Sequence, residues 1–284
     1  MKTPPRLAPL VEDGLVDEVL LQLKSGKEAT VYLVRRGDDT LCAKVYKDVQ
    51  QRSFRQAVQY REGRKVRSSR LARAMEKGSR YGREEQQAHW QNHEVECLYR
   101  LAGAGVRVPR PLGCYDGVLL MEMVSDGEGG VAERLDAFDF EPEQARDFHA
   151  RLLREVVRML CAGLIHGDLS EFNILVDPDG PVIIDLPQAV DAAANQNAKA
   201  MLLRDVQNLA DFFGQFAPEL RETRFGEEIW DLYERGELTP ETRLTGEYVP
   251  DSTPADVDDL LRRIQDAIAE EEARKAREAA GDEP

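Results

Sequence analysis

The sequence Leu164-Ile-His-Gly-Asp-Leu-Ser-Glu-Phe-Asn-Ile-Leu-Val176 decides the fold of this chain. It is followed by the turn-forming residues Asp177-Pro-Asp-Gly180 and then by Val182-Ile-Ile-Asp185. Turn formers between two β-branched runs predict a β-hairpin, with strands near 173–176 and 182–185. The stretch therefore predicts a loop that leads directly into a short, rigid β-ribbon.

The loop and the ribbon carry two acids and an amide. Asp168 and Asn173 lie five residues apart, which is the spacing between the base and a metal ligand in the protein-kinase catalytic loop. The hairpin is expected to put Asn173 across from Asp185, and hard oxygen donors of this kind suit Mg²⁺. We therefore predict Asp168 and Asp185 as catalytic residues, Asp168 being the base, and Asn173 and Asp185 as metal ligands. His166 is predicted to be a packed scaffold residue.

A lid over the nucleotide is predicted near the N-terminus. The pattern Gly-x-Gly-x-x-Gly-x-Val covers ATP phosphates in protein kinases, and alignment on Val31 puts its glycine positions at Lys24, Gly26 and Ala29. Only the middle position is glycine, so an ordinary hairpin turn is an equal alternative when this signal is taken alone. The residues predicted to contact the nucleotide from this lid are Ser25, Gly26, Lys27 and Val31.

A lysine and a glutamate are predicted to pair behind this lid. Lys44 lies at the end of an apolar strand, where an inward-facing ammonium group needs an anion. Glu94 falls on the apolar stripe of a predicted helix, together with Trp90 and Leu98, so its carboxylate also needs a partner. In kinases such a lysine binds the α- and β-phosphates and a helix glutamate.

The adenine ring is expected to dock where a buried strand, 118–124, meets the Gly-rich stretch 126–130. The backbones of Glu122 and Val124 are the predicted acceptor and donor for the base. Because backbone groups would make these contacts, the sequence identifies the two residues only weakly.

The charge of the chain is uneven. Its net charge is −15, which argues against general affinity for nucleic acids. The segment 47–83 nevertheless holds 12 Lys and Arg against 3 Asp and Glu, a local charge of +9. We predict an anionic partner for this segment, RNA or a ribosomal surface, and a solvated, partly mobile loop is an equal alternative.

Cysteine and hydropathy patterns point to a cytoplasmic protein. The four cysteines are scattered without a Cys-x-x-Cys pair, as is typical of reduced thiols. No run of about 18 apolar residues and no apolar N-terminal stretch is present, so neither a membrane span nor a secretory signal is expected.

The sequence predicts an α+β chain of two lobes. The first segment is a loose N-terminal arm (1–14), and an N-lobe of a five-stranded sheet plus a helix follows (15–123), with the basic flexible insert 47–83. The other segments are a helical C-lobe with the catalytic loop and metal-binding hairpin (124–250) and an acidic C-terminal helix or tail (251–284).

Several motifs together resemble the RIO family of atypical serine protein kinases, as a bacterial-like member nearest the first RIO subfamily. The resemblance covers roughly residues 15–220, and the Ser-Glu-Phe-Asn ending of the loop is its most specific part. The motifs are Ser25-Gly-Lys-Glu-Ala-Thr-Val-Tyr32, Ala43-Lys-Val-Tyr-Lys47, Trp90 with Glu94, His166-Gly-Asp-Leu-Ser-Glu-Phe-Asn173 and Ile184-Asp185.

The resemblance implies a trimmed kinase fold without an activation loop or peptide-docking subdomains. It implies binding of ATP and Mg²⁺, with Mn²⁺ as an alternative, and a serine/threonine protein kinase that acts on a protein acceptor or on itself. It also implies a role in ribosome-related assembly, in part as an ATPase switch with a phospho-aspartate at Asp185. Leu186-Pro187 and the acidic tail depart from the family pattern.

Two other classes of function compete with this prediction. Small-molecule kinases of the aminoglycoside and choline class also use His-Gly-Asp and Asn-Ile-Leu, although Leu169-Ser-Glu-Phe172 argues against them. A non-catalytic ATP-gated factor that binds RNA or the ribosome is the other alternative.

Overall fold

The computed structural model describes residues 3–26, 28–47 and 93–249. Up to Glu247 these residues pack as one compact unit, which combines an antiparallel sheet with a helical half. This architecture is the α+β kinase-like fold that the sequence predicts.

Some predictions fall outside the described residues. They concern Lys27, Trp90, nearly all of the basic segment 47–83 and the tail 251–284. The proposed lobe boundaries at 15–123 and 124–250 also stay predictions.

Five strands form the N-terminal sheet, in the order β1-β2-β3-β5-β4. All neighbouring strands are antiparallel, as short β-branched runs joined by tight turns favour. The strands are β1 (Glu18–Ser25), β2 (Ala29–Arg36), β3 (Asp39–Tyr46), β4 (Pro111–Tyr115) and β5 (Val118–Glu122). β4 was not recognised in the sequence, because its five residues contain a proline and a glycine and lack the usual β-branched signal.

The central strand β3 is covered on both faces. Ala43 and Val45 belong to one buried cluster, whereas Tyr46 belongs to the other. Alternation along a strand therefore places Lys44 on the same face as Tyr46.

The N-terminal arm is not loose where it is described. Leu7 and Leu10, in and beside helix α1 (Ala8–Glu12), are 0% and 2% exposed and join the cluster that contains Val34. The expectation of a loose arm was wrong because two buried leucines suffice to hold a one-turn helix on the sheet.

Helix α2, described over residues 93–103, packs against the other face of the sheet. Its inward stripe contains Cys97, Leu98 and Leu101, and Glu94 is buried with them. Glu96 is exposed, as the helical spacing predicts.

The helical half surrounds a second, smaller set of strands. The helices are α3 (Pro142–Cys161), α4 (Ala198–Phe213) and α5 (Phe225–Glu234), with 3-10 turns at Leu135–Ala137, Glu171–Asn173 and Pro218–Glu222. The strands are β6 (Glu133–Arg134), β7 (Leu164–Ile165), β8 (Ile174–Asp177), β9 (Gly180–Ile183) and β10 (Val190–Asp191). β6, β8 and β9 form one sheet, and β7 pairs with β10. No helix in the described part of the chain is long and apolar enough to cross a bilayer.

A buried histidine gives the helical half a pH-dependent stability. His149 of α3 is 1% exposed and lies between the rings of Phe213 and Phe225, at centroid distances of 5.8 and 5.7 Å. Burial lowers its pKa from 6.5 to about 4. The unfolded chain therefore takes up this proton first, so the stability that His149 contributes is lost as the pH falls from 6.5 towards 4.

We expect His149→Leu to flatten this dependence. Between pH 7 and pH 5 the wild-type chain should lose about 2 kcal/mol more of its unfolding free energy than the variant, which urea denaturation at the two pH values measures. Equal losses in the two proteins would contradict the assignment.

Candidate active site

Three separate elements bring their charged side chains together at Lys44. Its Nζ lies 2.5 Å from Oε1 of Glu94 on α2 and 2.9 Å from Oδ1 of Asp185, which follows β9. The Lys44 side chain is 11% exposed. The contact between Lys44 and Glu94 that the sequence predicts is therefore present, and Asp185 joins it.

Electrostatics favour the charged forms of Lys44 and Asp185. Burial alone would lower the pKa of Lys44, but the Glu94 and Asp185 carboxylates outweigh it and raise that pKa above its ordinary value. Partial burial would raise the pKa of Asp185, and the Lys44 ammonium outweighs it and lowers that pKa. The Tyr46 hydroxyl donates to Oε2 of Glu94 at 2.7 Å, so both oxygens of that carboxylate are held.

The catalytic loop begins immediately after β7. His166 is buried, its Nε2 lies 3.1 Å from the Ile184 carbonyl and its Nδ1 accepts the Asp168 N–H at 3.3 Å, as expected of a scaffold residue. Gly167 has φ 79°, and a Cβ there would lie 2.7 Å from the Gln188 carbonyl oxygen, so only glycine fits. The loop leaves the Asp168 side chain exposed to solvent, as an acceptor hydroxyl would require.

The hairpin register differs by one residue from the predicted one. The closing pair of its turn is Asp177 and Gly180, and the Ile184 N–H donates to the Asn173 carbonyl at 2.9 Å. Asn173 thus lies opposite Ile184, and the chain leaves the ladder at Asp185, whose φ is 68°. The expectation that Asn173 lies across from Asp185 was wrong because the two-residue turn fixes the register.

The donor atoms at this end of the hairpin fit a hard divalent cation. The Asn173 amide donates its N–H to the Asp168 carbonyl at 2.8 Å, which leaves its oxygen for a metal. The Asp185 side chain is 47% exposed, so its second oxygen is accessible. Carboxylate and amide oxygens are the ligands that Mg²⁺ prefers in proteins.

The predicted lid is a braced turn between β1 and β2. The Gly26 N–H donates to the Ala29 carbonyl at 2.9 Å, and Nζ of Lys47 donates to Oγ of Ser25 at 2.9 Å and to the Gly26 carbonyl at 2.6 Å. Val31 is in register with Lys44 of β3, so both side chains share one face.

Lys24 is a cation of the lid that the sequence reasoning passed over. Lys24 of β1 pairs with Val31 of β2, which pairs on its other side with Lys44 of β3. The charge of Lys24 also contributes to the lowered pKa of Asp185. Its place at a glycine position of the lid pattern was the signal that could have identified it.

The predicted hinge residues follow β5. The Glu122 N–H donates to the Arg110 carbonyl at 3.0 Å, and the Val124 carbonyl accepts from Ala132 at 2.9 Å. These bonds use the Glu122 N–H and the Val124 carbonyl. The atoms predicted to contact adenine are the other two, the Glu122 carbonyl and the Val124 N–H. A cavity of about 310 Å³ borders the hinge, but Lys44, Asp168 and Asp185 are not among its lining residues, so it lies away from the charged cluster.

A known protein domain matches the part of the chain that contains this cluster. The RIO domain matches residues 30–225, which include Val31, Lys44, Asp168 and Asp185 and make up more than half of the chain. The chain belongs to the RIO family. The family resemblance read from the sequence is confirmed, and the RIO domain contains every element of the charged cluster.

Relatives of this RIO protein come from archaea and eukaryotes. A protein named RIO-type serine/threonine-protein kinase Rio1 from Haloferax volcanii is 35% identical over 208 residues, which cover 72% of this chain and 66% of the relative. Serine/threonine-protein kinase rio1 from Schizosaccharomyces pombe is 29% identical over 215 residues, covering 73% and 40%. The matches thus span less than two thirds of the length of these curated relatives.

Helix α4 holds the predicted catalytic loop of this RIO protein through four side-chain hydrogen bonds, two of them buried. The Asp205 carboxylate accepts the Gly167 N–H at 2.7 Å and the Leu169 N–H at 3.0 Å. Asn208 donates to the Leu169 carbonyl at 2.9 Å, and Arg204 donates to the Gly167 carbonyl. Sequence reasoning missed these residues, although a polar Asp205 next to the apolar stripe of α4 was a visible signal.

We expect Asp205→Ala to destabilise the folded chain. It leaves two buried N–H groups without an acceptor, which should lower the unfolding free energy by roughly 2–4 kcal/mol. Asp211→Ala, at an exposed position of the same helix, is the matched control. Urea denaturation compares the two variants, and equal stabilities would rule out the anchoring role.

Proposed function

We propose that this chain is an ATP-dependent serine/threonine protein kinase of RIO type that works with Mg²⁺, or alternatively Mn²⁺. The observation that carries the proposal is the position of the Lys44 ammonium between Glu94 and Asp185, next to a loop that exposes Asp168. The printed names of its relatives, serine/threonine-protein kinases, support the same reaction class.

Each residue has a distinct role in the proposed transfer. Lys44 binds the α- and β-phosphates of ATP, while Asp168 orients and accepts the proton of the attacking hydroxyl. Asn173 and Asp185 hold the metal ion, which would neutralise phosphate charge and align the leaving group. Ser25, Gly26, Lys27 and Val31 cover the nucleotide, and the backbones of Glu122 and Val124 contact adenine.

The acceptor is proposed to be a protein hydroxyl, on another chain or on this one. A further RNA or ribosomal partner is proposed for the basic segment 47–83, on its local charge of +9 alone. A cytoplasmic location is inferred from the four scattered cysteines, which include no Cys-x-x-Cys pair.

Removing the base or a metal ligand should abolish transfer. With purified protein, radiolabelled ATP and Mg²⁺, we expect Asp168→Asn and Asp185→Asn to incorporate phosphate at least ~10²-fold more slowly than wild type. Asp179→Asn, at the exposed tip of the same hairpin, is the control that should label normally. Wild-type labelling in either of the first two variants would refute the assigned role.

The Lys44–Glu94 pair allows ligand binding to be separated from stability. Lys44→Ala leaves the Glu94 carboxylate buried without its cation, which should lower stability by about 3–5 kcal/mol. Adding Glu94→Gln removes the buried charge and should recover most of that loss, but not the affinity for ATP. Thermal unfolding and titration with a fluorescent ATP analogue measure the two effects. A double variant that binds ATP as tightly as wild type would show that Lys44 does not contact phosphate.

A further inference from the structure

One large apolar side chain of the catalytic loop is not packed away. Phe172 is 50% exposed. In the sequence it lies between the predicted base, Asp168, and the predicted metal ligand, Asn173. Its loop neighbours Leu169 and Ile174 are both 0% exposed and anchor the loop in the core. The loop thus presents two side chains to solvent, Asp168 and Phe172.

A cation covers part of this ring. The Arg134 guanidinium of β6 lies 5.8 Å from the centroid of Phe172, and Nε of Arg134 lies 3.3 Å from Oδ1 of Asp136. The backbone of Arg134 is also held, because it pairs with Leu175 of the neighbouring strand β8. These three side chains, Phe172, Arg134 and Asp136, are called the Phe172 platform below.

We propose that the Phe172 platform selects the acceptor by binding an apolar side chain next to the serine that receives phosphate. An acceptor hydroxyl must reach the exposed Asp168 carboxylate, and Phe172 is exposed only four residues further along the same loop, within reach of the residues beside that hydroxyl. Burial of the exposed ring against an apolar side chain favours such an acceptor. Basic side chains are disfavoured, because the Arg134 guanidinium next to the ring repels a second cation there.

This inference rests on the proposed protein kinase activity, and its test uses defined peptides. The probes have one central serine flanked on both sides by leucine, alanine or lysine. For wild type we expect kcat/KM for the leucine peptide to exceed that for the alanine peptide about tenfold, the ratio that burial of part of one ring supplies. The lysine peptide should be the poorest of the three.

Variants of the platform should change these ratios in different ways. Phe172→Ala should bring the leucine-to-alanine ratio to about one, and Phe172→Leu should keep most of it. Arg134→Ala should raise the lysine-to-alanine ratio several-fold while the leucine preference persists. Tyr99→Ala removes an exposed ring from α2 instead and should keep all wild-type ratios.

The outcomes distinguish this inference from the function on which it rests. Peptide labelling without a leucine preference, or a preference that survives Phe172→Ala, overturns the platform and leaves the kinase intact. A further outcome is that wild type labels only itself and no peptide. In that case the labelled serine must have an apolar neighbour, and Phe172→Ala must label that serine about tenfold more slowly. The inference fails if either requirement is not met. Absence of any labelling overturns the kinase proposal itself.

Discussion

The active-site half of this molecule depends on one buried ammonium group. Lys44 has almost no contact with water, so its charge is tolerable only with anions at hydrogen-bonding distance. Those anions come from α2 and from the end of the β8–β9 hairpin. The need to neutralise one cation therefore fixes the relative positions of a sheet, a helix and a hairpin that are far apart in sequence.

The two carboxylates at Lys44 are not equivalent. The Glu94 side chain is 6% exposed and also accepts from Tyr46, whereas the Asp185 side chain is 47% exposed. A buried, doubly held carboxylate is costly to move, and a half-exposed one is screened and can exchange partners. Glu94 is thus the more firmly held partner of Lys44. Under the proposed function, Asp185 is the partner that would turn towards the metal ion while phosphate takes its place at Lys44.

The sequence predicted the contact between Lys44 and Glu94 but not the register of the hairpin beside it. Lys44 and Glu94 were identifiable because two local patterns, a strand and an amphipathic stripe, make a charged residue conspicuous. The register at Asn173 was missed because the two-residue turn, not strand composition, sets it. Asp205 was missed because its partners lie 36 and 38 residues away along the chain, a distance over which no periodicity carries information.

Buried residues hold the geometry of the predicted catalytic loop, and the proposed selectivity lies at an exposed one. Asp205 fixes the backbone on both sides of Asp168, and the apolar side chains that flank the loop are inaccessible to any partner. A substitution among these residues would change every reaction of the site, whatever the acceptor. Phe172 is 50% exposed, so a substitution there removes fewer core contacts than one at Leu169 or Ile174. Selectivity for acceptors can therefore reside at an exposed residue of a loop whose backbone geometry is fixed by buried ones.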